Sequence, residues 1–457
     1  NFARSVMYRK FVFPLWRRRA ERGGEGLLPS KMYILMTVYR IDVETASRAV
    51  RAAMQEAAGC GIPVTLVASV VEAQDEFLFK SIFESLSMPD RVELKIVRIP
   101  GTGKRDGLAQ GFRAISRDLP PPDAVVAVMD GDTILLPGVL NKCTPFFKLM
   151  PKLGALTTDE FCRVKGTKTM REWHDLRFAQ RHILMSSISL SKRTMTLTGR
   201  MSMFRADIVT HPDFISHMTQ DYLNHWRLGK FRFLTGDDKS SLYWVLNRGY
   251  QQIYVPDAAV LTLEDPPSPS FFVASTQLMR RWFGNMLRTN SRILALGPTR
   301  MPFFVWWAFL DQRISMWTSL SGPTFAIMLA FKYGAVFIAY YFVWVFFVRW
   351  VMTLMIMTAR NKVSWRYPFL LYYSHVYGSL IKVWAMFRLD QQSWTRQKTK
   401  LARGISRSTM LWNRYSSHAM HAAAIVIFIC AIGYASQVMG LPHATLRLLA
   451  GPAYAEV

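Results

Sequence analysis

Asp130 and Asp132 stand two residues apart in AVVAVMDGDTILLPG, where an apolar run passes into a polar turn. Carboxylates at that spacing can grip a hard divalent cation, and such a cation neutralises a diphosphate. A second acidic pair, Asp237 and Asp238, opens the stretch TGDDKSSLYWVLNRGY. There Thr235 is placed to cap a helix, the aspartates fall in its first turn and Gly249 ends it. Acidic residues in a first turn complement the helix dipole. A carboxylate beside a bound cation can also take a proton from an attacking hydroxyl. A third stretch, SPSFFVASTQLMRRWFGNMLRTNSR at 268–292, reads as a basic amphipathic helix. Gln277, Arg281 and Arg288 share one of its faces, and Met279, Trp282, Phe283 and Met286 supply apolar contacts. Alone, that helix reads as one lying in a membrane interface.

These groups need a scaffold. Apolar runs predict strands at 32–38, 63–71, 94–99 and 124–129. Helices are predicted at 42–59, capped by Asp42 and stopped at Gly59, and at 105–119. This β-α-β succession over 31–265 predicts a mostly parallel sheet with helices on both faces. Ligands on such sheets bind beyond the carboxyl ends of the strands, where Asp130 lies. Gly131 is expected to supply the sharp turn there.

The chain has 457 residues, 51% of them hydrophobic, and a formal net charge of +26. So basic a chain could bind nucleic acid, but the placement of its apolar residues points to a membrane instead. From 301 to 357 the sequence is almost continuously apolar, and 323–348 alone exceeds the roughly 20 residues that cross a bilayer core. Further candidate spans are 367–389 and 418–440. Basic clusters flank them, RKFVFPLWRRRAERG near the start and RQKTKLARGISR at 396–407, as cytoplasmic ends of spans require. The charge then serves topology, anionic lipid and phosphate-bearing substrates, and no nucleic-acid partner is expected. Cys60, Cys143, Cys162 and Cys430 show no CxxC spacing and no histidines at metal-site intervals, so they read as reduced thiols. His211, His217 and His225 lack short-range partners that would complete a ligand set and read as structural.

In this order the pieces resemble the processive family-2 glycosyltransferases, the membrane synthases of hyaluronan, cellulose, chitin and alginate. That pattern has an aspartate pair at a strand end, a TED or GDD triplet, and a QxxRW helix followed by membrane spans. Here the matches are Asp130-Gly131-Asp132, Gly236-Asp237-Asp238, and Gln277 with Arg281-Trp282. Lesser matches are Thr37-Val38-Tyr39, Gly103-Lys104-Arg105, Leu197-Thr198-Gly199 with Arg205, and Ser393-Trp394-Thr395-Arg396. Three departures stand out. Gln277 lies four residues before Arg281 rather than three, with Leu278 in the expected place. The acidic VDDGS after the second strand is absent, which leaves Glu72 and Asp75 as substitutes for its contact to the nucleotide base. The WTR segment is one residue shorter than WGTR.

The resemblance implies an α/β cytosolic glycosyltransferase domain, GT-A-like with a mostly parallel sheet, joined to an α-helical transmembrane channel region. The expected divisions are a basic segment at 1–30 after a membrane span not included in the sequence, the glycosyltransferase domain at 31–267, an interface helix at 268–300, membrane helices at 301–389, a gating loop at 390–417, and a final span and tail at 418–457. It further implies inverting transfer from a nucleotide-sugar donor to a growing polysaccharide. Asp130 and Asp132 would hold Mg²⁺ or Mn²⁺, with Asp238 as base and Asp237 beside it. Thr37, Tyr39, Lys104, Asp130 and Arg281 would contact the donor, Trp282 and Gln277 the acceptor, and Trp394 and Arg396 would close over the nucleotide. Around MYILMTVYRID, TGDDKSSLYW and RRWFGNMLR the likeness is greatest to the alginate polymerases, which make polymannuronate from GDP-mannuronate. That likeness implies a multi-pass protein of the bacterial inner membrane, its catalytic domain cytoplasmic, with a c-di-GMP-binding co-polymerase subunit and an export complex as partners. A UDP-sugar polysaccharide synthase shares every motif. A non-processive lipid-linked glycosyltransferase needs neither the RW helix nor the WTR segment, and an inactive scaffold needs no intact Asp130, Asp132 and Asp238.

Overall fold

The computed structural model describes residues 1–101, 103–360, 363–392 and 406–439. β1 (Met32–Thr37) lies at the centre of the sheet. Met32, Ile34 and Met36 enter one apolar layer while Tyr33 and Leu35 enter the other. Alternation along a strand gives that division, and cover on both faces keeps both sets apolar. β2 (Val64–Val70), β3 (Val92–Arg98) and β4 (Val125–Asp130) are parallel to it, with β2 and then β3 on one side and β4 on the other. β5 (Thr133–Leu135), β6 (Leu153–Val164) and β7 (Met201–Arg205) continue the chain, followed by a separate antiparallel hairpin of β8 (Tyr222–His225) and β9 (Gly229–Arg232). With β10 (Gln251–Glu264) the eight-stranded order is β3-β2-β1-β4-β7-β6-β10-β5. The sheet is mostly parallel; β7 runs antiparallel between β4 and β6, and β5 runs antiparallel on β10.

Helices Val43–Gly59 and Ala73–Ser85 cover one face, and Lys104–Arg117 with Asp237–Asn247 the other. Asp42 caps the first as expected, accepting from the Thr45 amide at 2.9 Å. That helix runs through Gly59 and is capped at Cys60, because the positive φ of 70° falls at Gly61. The strand order reverses at β1, so the crevice beyond the ends of β1 and β4 is the switch point where ligands of such sheets bind. Thr37 and Asp130 are register partners there. Gly131 follows without a positive φ. A Cβ at Gly131 would stand 2.7 Å from Val38 Cγ2 and 3.0 Å from the Thr37 carbonyl oxygen. The chain does turn there as expected, but close packing rather than a positive φ is what demands glycine.

The apolar run folds as two helices, Phe303–Tyr333 and Val336–Met357, broken at Gly334. The expected span 323–348 thus straddles a turn. One glycine inside an apolar run leaves no mark in hydrophobic composition, which is why the break was not legible. These two helices and Arg407–Ala435, which starts before the expected 418, are long and apolar enough to cross a membrane. Tyr367–Met386 packs against Phe271–Ala295 and Phe303–Tyr333. The N-terminal segment is helical over 2–23, with a π-helical turn at Tyr8–Val12. Its Arg17 holds Asp257 with two nitrogens at 2.7 and 2.6 Å, and the Tyr8 hydroxyl donates to the Tyr254 carbonyl at 2.6 Å. This basic stretch is therefore docked on the sheet domain beside β10.

Candidate active site

A cavity of about 630 Å³ opens beyond the carboxyl ends of β1 and β4. Lys104, the first residue of its helix, reaches into it and donates to Asp130 Oδ1 at 2.7 Å and Asp237 Oδ2 at 2.8 Å. Two aspartates 107 positions apart in the chain thus meet at one ammonium (237 − 130 = 107). Burial would lower the Lys104 pKa, but the two carboxylates outweigh it and raise it. Burial raises the Asp130 pKa against the pull of Lys104, with Asp132 and Asp237 adding to the rise. At Asp237 the cations Lys104 and Arg105 overcome burial and hold the pKa low. Asp238 points to another partner, accepting from the Thr196 hydroxyl at 3.0 Å.

Gly236, with φ 87°, heads helix Asp237–Asn247 as its N-cap. Thr235, the predicted cap, instead places its hydroxyl 2.7 Å from Asn285 Oδ1 on helix Phe271–Ala295. At the other end Gly249 and Tyr250 return their amides to Leu246 and Val245, the predicted stop. Arg105 is buried beneath the preceding loop, donating to the carbonyls of Met218 and Thr235 and to Ser240 Oγ at 3.2, 3.2 and 2.8 Å. Ser240 in turn bonds Asp221, which pairs with Arg292. The second basic residue of Gly103-Lys104-Arg105 is therefore a brace for the loop that carries Asp237.

Thr37, Tyr39, Lys104, Asp130, Asp132, Asp237, Asp238, Arg281 and Trp282 all line this one cavity. Gln277 does not: it lies on the exposed side of its helix, and Leu278 lines the cavity in its place. Arg288, further along the helix, is buried and donates to Leu389 O at 3.0 Å. Arg205 binds the carbonyls of Leu153 and neighbours, away from the cavity. Its sequence neighbour Arg200 lines it. Neither Glu72 nor Asp75 reaches the lining, where Ser69 of β2 stands with Val71, Ile99 and Gly101 just beyond β2 and β3. Trp394 and Arg396 lie outside the described residues. Gln392, just before them, accepts from the Leu234 amide and donates to Arg232 O, both at 2.9 Å.

Among the described residues no group of three or more His, Cys, Asp or Glu side chains could hold a metal by itself. Magnesium needs no such group, because it takes one or two carboxylates and fills its other positions with phosphate and water oxygens. The hard oxygen donors Asp130 and Asp132 suit that pattern. Gly199 keeps the space open: a Cβ there would sit 2.7 Å from Lys104 Nζ and 3.2 Å from Asp130 Oδ2.

Sequence reasoning missed the ion-pair wall behind this cavity. Arg200 bridges Glu160 at 3.3 Å and Glu264, and Arg181 pairs with Glu160 at 2.6 Å. These residues come from four separate segments without a shared motif, so no spacing could have revealed them. Arg177 and Lys382, also in the lining, were missed for the same reason.

A family profile described as "Glycosyltransferase like family 2" matches residues 29–285. "Glycosyltransferase alg8" of Pseudomonas syringae pv. tomato is 50% identical over 432 residues, 94% of this chain and 88% of that protein. "Glycosyltransferase alg8" of Azotobacter vinelandii is 48% identical over 433 residues, again 94% and 88%. Among solved structures, the mannosyltransferase PcManGT from Pyrobaculum calidifontis, in complex with GDP-Man and Mn²⁺, aligns at a TM-score of 0.44 and 15% identity, over 83% of this chain and 98% of that one.

Proposed function

The chain belongs to glycosyltransferase-like family 2, and from that premise we propose that it polymerises mannuronate from GDP-mannuronate and passes the polymer across the membrane. The observation that carries this reading is the meeting of Asp130 and Asp237 at Lys104, in the cavity that also exposes Asp132, Asp238, Arg281 and Trp282. The near-half identity to proteins named glycosyltransferase alg8 supports alginate as the product class.

In this reading the hydroxyl at the non-reducing end of the chain attacks the anomeric carbon of the donor from the face opposite the diphosphate. The new C–O bond forms as the bond to the diphosphate breaks, so the anomeric centre inverts and the electron pair leaves on the nucleoside diphosphate. Asp238, held by a hydroxyl rather than an ammonium, takes the proton. Asp237 holds Lys104 toward the phosphates, and Arg281 adds a second cation. Thr37 and Tyr39, which line the cavity, would contact the nucleoside, and Trp282, also in the lining, would border the acceptor. Asp130 and Asp132 would hold Mg²⁺ or Mn²⁺, which offsets charge on the leaving diphosphate. The membrane helices would form the exit path in the bacterial inner membrane, with the sheet domain cytoplasmic. A c-di-GMP-binding co-polymerase and an export complex are the partners that the alginate reading carries with it.

The test is a donor scan on the full-length protein in lipid nanodiscs. Radiolabelled GDP-mannuronate with Mg²⁺ or Mn²⁺ should give polymer that a mannuronate-specific lyase degrades. Polymer from a UDP-sugar, with none from GDP-mannuronate, overturns the reading.

A further inference from the structure

Two cations in the cavity lining, Arg177 and Lys382, take no part in the transfer chemistry. Arg177, on helix Lys168–Ser189, lies 4.4 Å above the Trp282 ring and 5.1 Å from that of Trp173. Lys382, on helix Tyr367–Met386, lies 4.9 Å from the Phe283 ring, which Arg177 also approaches at 6.0 Å. Both line the cavity. Among the described residues neither makes an ion pair or a hydrogen bond; their contacts are with aromatic rings. The contrast with other lining cations is sharp: Lys104, Arg181 and Arg200 are each matched to carboxylates, and Lys239 donates to Met195 O at 2.7 Å. Asp311 acts on Lys382 only from beyond ion-pair range. Burial, with the like charges of Arg181 and Arg200, lowers the Arg177 pKa to about 10. Two half-buried cations, Arg177 over Trp282 and Lys382 over Phe283, thus line the cavity with unused donors, an arrangement that favours an anionic ligand group.

We propose that Arg177 and Lys382 form a specificity subsite that receives the carboxylate of a uronate unit at the acceptor end of the growing chain. This rests on the polymannuronate reading of the site and names the residues that would discriminate uronate from neutral hexose there. A carboxylate entering between the two cations completes their hydrogen bonding, whereas a hydroxymethyl group leaves both charges unpaired and half-desolvated. The discrimination is assigned to the acceptor because Arg177 lies over Trp282, the residue read as bordering the acceptor, and shares the Phe283 ring with Lys382.

The experiment uses the full-length protein in nanodiscs and two acceptor probes: mannuronate oligosaccharides of defined length, and the same oligosaccharides with carboxyls reduced to hydroxymethyl groups. The unaltered protein should bind the uronate probe at least about tenfold more tightly, the scale of a charge-assisted hydrogen bond. Arg177→Gln and Lys382→Met should each erode that preference, and together abolish it, while GDP affinity stays unchanged. Arg177→Lys should retain most of it, which a purely structural stacking role would not predict. A preference that survives the double substitution with GDP binding intact overturns the subsite but leaves the polymerase reading standing. Equal binding of both probes by the unaltered protein overturns the uronate reading and the subsite with it. If the variants lose GDP binding through misfolding, phenylglyoxal labelling of Arg177 in the unaltered protein decides. Protection by uronate but not by the reduced probe supports the subsite, and equal labelling overturns it.

Discussion

Asp130 and Asp237 share Lys104, whereas Asp238 is bonded to Thr196, so neighbouring carboxylates of like chemistry meet different electrostatic surroundings. This division supports a general base at Asp238 and a charge-positioning role at Asp237. Asp238→Asn is expected to lower the rate at least roughly 10²-fold, the lower range for loss of general-base catalysis, with GDP affinity retained. Single-turnover transfer measured beside GDP titration checks it; lost binding with unchanged chemistry would reverse the two roles. Asp132→Asn should abolish polymer formation at ordinary Mg²⁺ without disturbing the fold, because it removes a hard donor and a charge at constant size. Near-normal turnover in that variant would remove Asp132 from the cation site.

Helix Asp237–Asn247 and helix Phe271–Ala295 are joined at the Gly236 loop, where Thr235 bonds Asn285 and a Cβ on Gly236 would stand 3.1 Å from Asn285 Cγ. Gly236 also holds φ 87°, a region that costs a residue with a Cβ about 1–2 kcal/mol. Gly236→Ala is therefore expected to lower the melting temperature modestly and to weaken GDP binding, since Asp237 opens the helix that would shift. Thermal scanning fluorimetry with GDP titration tests this. Unchanged values in both would show that the loop relaxes independently of the interface helix.

Across the whole molecule, the sheet domain is tied to the membrane helices by a buried carboxylate. Asp159 on β6 receives two bonds of 2.7 Å from Arg360, just beyond helix Val336–Met357, and another of 2.6 Å from Tyr254. Burial opposes ionisation of Asp159, but the bond from His182 and the Arg360 charge together hold its pKa below the usual carboxylate value. Arg360→Met takes the guanidinium from a buried carboxylate that keeps only Tyr254 and His182, and is expected to cost about 3–5 kcal/mol, visible as a lower melting temperature. A depressed folded pKa means that the unfolded chain binds the proton first. The stabilisation is thus present above the unfolded carboxylate pKa of about 3.9 and lost as pH falls toward the lower folded value. The melting temperature of the unaltered protein should fall below about pH 4, and Arg360→Met should flatten that slope. Equal slopes in the two proteins would deny Asp159 this linkage.

The parallel strands, the helix on Asp42 and the acidic pairs were legible because each depends on residues within a few positions: a continuous apolar run, a cap three residues from its amide, carboxylates adjacent or two apart. The same locality limited the reading. Gly334 breaks an apolar run whose composition gives no warning, and Gly131 is required by Val38 and Thr37 across the strand pair rather than by its own turn. Gln277 sits on the open side of a helix whose motif spacing suggested otherwise, since which face is covered depends on the helix packed against it. Local chemistry in the chain determined which groups could bind a cation, a phosphate or a sugar. Only the tertiary structure decided which of them share a cavity. Lys104 joins Asp130 to Asp237, Arg200 joins Glu160 to Glu264, and Arg177 and Lys382 share the Phe283 ring, because ion pairs and shared cavities form between side chains near in space whatever their distance along the chain.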